Sequence, residues 1–116
     1  MKLLHVTIQT NKFDEELDFY QSIVGLNIIT DMRSFGRKMI FLSDAKGDTE
    51  IEIIDNPDAN DAGNKNLSIG FQTEDVNKKY EDLKSKGLDV SPMVHPVPNV
   101  SFFFVKDPAG VSVQFM

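Results

Sequence analysis

The 116-residue sequence contains no cysteine, which excludes disulfides, thiolate metal sites and a cysteine nucleophile. Basic charge is scarce: 12 Lys and Arg stand against 18 Asp and Glu, giving a formal net charge of −6. No basic stripe offsets this balance, so a nucleic-acid backbone would be repelled, and an anionic membrane surface is disfavoured for the same reason. No apolar run approaches the ~20 residues of a membrane span. The opening residues, one lysine and two leucines before His5, do not read as a signal peptide. A Gly-rich phosphate loop and a serine nucleophile elbow are missing as well. What remains is one acidic domain over residues 1–116, with an ordinary 41% of hydrophobic residues and a cytoplasmic location as the expectation.

The most informative stretch is LLHVTIQTNKFDEELDFYQSIVGLNII. Leu4, Val6 and Ile8 alternate with His5, Thr7 and Gln9, the period of a half-buried strand. Phe13, Leu17, Tyr20 and Val24 then recur at helical spacing, with Asp14, Glu15 and Glu16 in the first turn, where carboxylates suit the positive end of the helix dipole. Gly25 is a helix stop. Three further strands are expected at 27–32, 38–43 and 50–54, the last two joined by a turn at Asp44-Ala-Lys-Gly47-Asp. Residues 56–66 are rich in turn formers and nearly devoid of large apolar side chains, which marks a linker. Beyond it come a strand at 67–72, a helix at 74–86 with Val76, Tyr80 and Leu83 inward, and a short strand at 88–91. An irregular loop with three prolines at 91–99 follows, then a hairpin of 100–106 and 111–116 around Asp107-Pro-Ala-Gly110.

The two halves repeat each other. At an offset of 63, His5 falls on Ser68, Phe13 on Val76, Leu17 on Tyr80, Phe41 on Phe104 and Asp44 on Asp107. At 62, Gly25 falls on Gly87 and Ile51-Glu52-Ile53 on Val113-Gln114-Phe115. The fold expected is α+β, two tandem βαβββ modules (1–55 and 67–116) forming a curved mixed sheet around a cleft, with the helices outside. His5, Glu52, Ser68 and Gln114 occupy matching places on the first and last strands of the modules. Alternation turns them away from the helix-packed side, where convergent polar groups make a small-molecule site.

The motifs LLHVTI, LDFYQSIVGLNI, TEIEII, DPAG and VSVQF, in a paired βαβββ layout, resemble the vicinal-oxygen-chelate superfamily. That superfamily includes glyoxalase I, bleomycin-resistance proteins, fosfomycin-resistance enzymes and extradiol dioxygenases. The likeness spans essentially the whole chain, and it is specific for fold rather than activity. It implies a homodimer. It also implies metal ligands of type His, Glu, His and Glu at His5, Glu52, Ser68 and Gln114. His5 and Glu52 match, Ser68 is a poor ligand for zinc or nickel, and Gln114 keeps an oxygen donor. As an amide, Gln114 has no usable basicity near neutral pH, so of the pair only Glu52 can serve as a base.

The leading expectation is therefore a protein that binds or sequesters a small ligand on an incomplete metal site. Thr7, Met39, Phe41, Ser68, His95 and Phe102 are the expected ligand contacts. The alternatives are a nickel-, zinc- or manganese-dependent lyase or isomerase, with His5, Glu52 and Gln114 as ligands and Glu52 catalytic, and a non-catalytic scaffold. A plain His5–Glu52 hydrogen bond is the structural explanation of that pair. Arg33 and Arg37 read as a solvated turn that can also reach an anionic group.

Overall fold

The computed structural model describes residues 1–60 and 64–116. The chain divides into two units, Met1–Asp61 and Ala62–Met116, each an α+β module with one four-stranded sheet.

In the first unit β1 (His5–Thr10) leads into α1 (Phe13–Asp18), and the helix continues as a π-helical segment, Phe19–Val24. Phe13, Leu17 and Tyr20 are buried, as their spacing requires, and Glu16 is buried with them. The wider π turn ends at Gly25, which takes φ 87°, and the Leu26 N–H donates to the Tyr20 carbonyl at 2.9 Å. Only a residue without Cβ adopts that φ at little cost. β2 (Asn27–Asp31), a single 3-10 turn at Arg33–Phe35, β3 (Met39–Ser43) and β4 (Glu50–Asp55) complete the unit.

The second unit repeats the order with β5 (Ser68–Phe71), α2 (Val76–Ser85), β6 (Val94–Val97), β7 (Val100–Lys106) and β8 (Ser112–Phe115). The Asp75 side chain caps α2 by accepting from the Lys78 N–H at 3.0 Å. The sheets run β1-β4-β3-β2 and β5-β8-β7-β6. In both, the first and last strands of the module are parallel and the other pairs antiparallel. Identical order and identical strand sense in two successive units are what a duplicated βαβββ module leaves behind. Among the described residues no helix is long and apolar enough to cross a membrane.

Two local expectations change. The strand expected at 88–91 is reduced to one bridge, Val90 with Val105. The proline-rich loop expected at 91–99 instead holds β6, which pairs with β7 across a register shift between Val94 and Val97. β6 is the edge of its sheet, so the missing N–H of Pro96 leaves no inner ladder bond unmade. The linker expected at 56–66 includes residues 61–63, which lie outside the described residues. Its described ends are tied to their own units, Asn56 Nδ2 to Gln9 Oε1 at 2.8 Å and Asn64 Nδ2 to the Ala109 carbonyl at 2.6 Å.

Candidate functional site

Within each sheet the parallel pair sets which side chains meet. Thr7 lies opposite Glu52 and His5 opposite Glu50, while Phe41 lies opposite Glu52 from the other side. Because side chains on a strand alternate between faces, these groups share the face turned away from Val6, Ile8, Ile51 and Ile53. That places His5, Thr7, Met39, Phe41 and Glu52, five of the residues singled out from the sequence, on one surface of the first unit.

At its centre is Glu52, only 6% exposed. Thr7 Oγ1 donates a short hydrogen bond to Glu52 Oε1, and His5 Nε2 stands 3.6 Å from the same oxygen. The His5 ring meets Phe41 edge-on, with centroids 5.7 Å apart. A buried carboxylate needs compensating donors; Thr7 supplies the direct one, and the imidazole sits just outside hydrogen-bonding range. Among the described residues both contacts of Glu52 fall on Oε1, so Oε2 retains its acceptor capacity.

The second unit carries the same layout with different chemistry. Gly70 lies opposite Gln114, Ser68 opposite Ser112, and Phe104 beside Gln114. Where Thr7 grips Glu52, Gly70 offers no side chain, and a Cβ there would come 3.2 Å from Gln114 Oε1. The amide thus lies against bare backbone. Phe102 packs edge-on against Phe104 at 5.7 Å. His95 turns elsewhere: its Nδ1 is 2.8 Å from Ser101 Oγ, and Ser101 alternates with Phe102 on β7. Arg33 is occupied as well. Its guanidinium grips both oxygens of Asp31, at 2.9 and 2.7 Å. That hydrogen bonding, reinforced by the Arg33 backbone N–H, lowers the Asp31 carboxyl from 3.8 to about 2.

The donor set can be tested against a metal. Two ligands of a tetrahedral zinc, each about 2.1 Å from the ion, lie roughly 3.4 Å apart, so His5 and Glu52 at 3.6 Å have suitable spacing. The count falls short. Among the described residues no group of three or more His, Cys, Asp and Glu side chains is placed to hold an ion, and a protein site needs three or four donors. Among the described residues, His5 and Glu52 therefore do not form a metal site by themselves.

Residues 2–115 match the Glyoxalase/Bleomycin resistance protein/Dioxygenase superfamily, and the chain belongs to that family. It is 27% identical to a lactoylglutathione lyase of Neisseria meningitidis serogroup A, over all of this chain and 90% of the relative. Among solved structures it resembles a lactoylglutathione lyase from Agrobacterium tumefaciens (TM-score 0.73, 19% identity, 98% and 91% of the two chains). It likewise resembles an antibiotic-binding protein from Streptomyces sp. CB03234 (TM-score 0.74, 18% identity, 99% and 93%). At these identities the structural likenesses speak for the fold alone.

Sequence reading missed Gly70 and Ser101. The first was within reach, since the offset of 63 that pairs His5 with Ser68 also pairs Thr7 with Gly70. The second carried no sequence signal, because its contact with His95 depends on where β6 pairs.

Proposed function

We propose that the protein binds a small organic ligand bearing a cationic or hydrogen-bond-donating group, received by Glu52 and bordered by His5, Met39 and Phe41. The observation that carries this reading is the state of Glu52. It is a nearly buried carboxylate whose contacts both fall on Oε1, beside an aromatic ring that can cover an apolar portion of the ligand. Charge distribution supports it: residues 1–61 hold twelve Asp and Glu against six Lys and Arg, whereas residues 62–116 hold six of each. The field around Glu52 therefore favours cations. Ser68, Phe102 and Gln114 offer a neutral counterpart on the second sheet. A cytoplasmic homodimer goes with this reading.

A thermal-shift screen comparing small organic cations with neutral compounds of the same shape tests it. Cations are expected to raise the melting temperature of the native protein and to lose that effect in Glu52→Gln. Hits that act equally on the variant would sink the assignment of Glu52.

The second reading, a metal-dependent lyase or isomerase, is favoured by the His5–Glu52 spacing and the lactoylglutathione lyases among the relatives. It requires donors beyond those two, Gln114 being the candidate, and makes Glu52 the proton-transferring group. Mass spectrometry on protein purified without tag or chelator decides between the readings. Near-stoichiometric nickel, zinc or manganese that disappears in His5→Ala supports the enzyme. Protein that stays empty through titration with all three metals ends that reading.

A further inference from the structure

A second cavity-forming region lies wholly within the second unit, at the end of its sheet where α2 begins. Ser101 alternates with Phe102 on β7 and so shares a side with Phe103, whose ring packs edge-on against Tyr80 of α2 at 5.2 Å. A cavity of about 260 Å³ opens between the start of α2, the start of β7 and the end of β8, lined by Thr73, Glu74, Val76, Asn99, Val100, Ser101 and Met116.

Its lining offers several acceptors beside the Asn99 amide, which also carries N–H donors. Among the described residues that line it Glu74 is the only one with a charged side chain, and an ionised carboxylate accepts without donating. The Thr73 hydroxyl donates to the Met116 carbonyl at 3.3 Å, and its oxygen keeps its capacity to accept. Ser101 Oγ sits 2.8 Å from His95 Nδ1. In the tautomer whose Nδ1 carries no proton the ring accepts from Ser101, whose oxygen keeps its capacity to accept. None of the described residues that line the space is a lysine or arginine. The positive end of α2 is nearby, but Asp75 already caps it and Glu74 adds a second carboxylate, which together offset the dipole. Val76, Val100 and Met116 are the apolar residues of the lining.

We propose that this cavity binds a small alkylammonium ion, with the ammonium group on Glu74, Thr73 Oγ1 and Ser101 Oγ and the alkyl chain along Val76, Val100 and Met116. His95 is a positioning residue, fixing the direction of the Ser101 hydroxyl. The volume is below the roughly 300 Å³ at which drug-sized pockets begin, which restricts the ligand to a few carbons. The site shares no residue with the Glu52 surface, so the two stand or fall separately.

The test is a titration of the 15N-labelled protein with butylammonium chloride, followed through the amides of Thr73, Ser101 and Met116, with sodium butyrate as the anionic counterpart. Saturable shifts at those amides with butylammonium are expected, and butyrate should leave them in place. Glu74→Gln and Ser101→Ala should each weaken binding at least about fivefold while the rest of the spectrum keeps its native dispersion. Three results would overturn the proposal: shifts that stay linear with concentration, saturation by butyrate, or undiminished binding in Glu74→Gln.

Discussion

Thr7 and Glu52 show how one contact can set the properties of a surface. A carboxylate on a central strand loses most of its water, and a donor must replace what is lost. Thr7 does so from the directly opposite register position, through Oε1, and among the described residues Oε2 keeps its acceptor capacity. Thr7→Val keeps the shape and removes the donor; chemical denaturation is expected to show a loss of about 1–2 kcal/mol. Glu52→Gln should fold normally, since an amide oxygen accepts the same hydroxyl. Asp31 gives a separate residue-scale prediction. Its carboxyl titrates at about 2 in the folded protein and at 3.8 ordinarily, so the charged form is favoured by folding. The contribution is complete above the unfolded value and disappears as pH falls through the folded one. Both groups are solvent-exposed, so the effect on global stability is small. In Arg33→Ala an NMR titration of Asp31 should return its midpoint to near 3.8.

At the scale of elements, the helix of the first unit is unusual in its final turns. The π-helical stretch over Phe19–Val24 seats the buried Phe19 and Tyr20 and delivers the chain to β2 through the left-handed Gly25. Nothing lies within 4 Å of where a Cβ on Gly25 would be, so Gly25→Ala meets no clash and isolates the backbone term. The expected cost is about 1–2 kcal/mol, read from the shift in urea midpoint at unchanged slope. The second unit ends its α2 start differently, with a side-chain cap, and Asp75→Ala should cost about 1 kcal/mol by the same measurement. β6 is a strand that local propensity argues against. It forms because an edge position asks for hydrogen bonds on one side only.

At the scale of the whole molecule, duplication has kept topology and separated chemistry. The register that pairs Thr7 with Glu52 pairs Gly70 with Gln114, so one unit presents an anion with a fixed donor and the other a neutral amide over bare backbone. The whole net charge of −6 resides in residues 1–61. Large apolar side chains also remain exposed, among them Leu3, Leu4, Phe35 and Val97, Phe35 at 76%, and they support the proposed homodimer. Sedimentation equilibrium is expected to give twice the 13.1 kDa of the chain, and Phe35→Lys to shift the balance toward that single-chain mass. A native protein sedimenting at 13.1 kDa at all concentrations would refute the dimer.

The sequence by itself determined the order of strands and helices, the duplication and the polar surface around Glu52. Each of these is written in local periodicity or in spacing between the halves, and burial on one face of a strand or helix enforces it. That Thr7, Met39 and Phe41 share a face with His5 and Glu52 was legible for the same reason: they alternate in phase. Tertiary structure alone decided that Thr7, rather than His5, makes the direct hydrogen bond to Glu52. It also placed β6 within the proline-rich stretch and set His95 against Ser101. Those outcomes depend on strand register and on which strand ends a sheet. They are fixed by pairing between residues far apart in the chain, which no local pattern encodes.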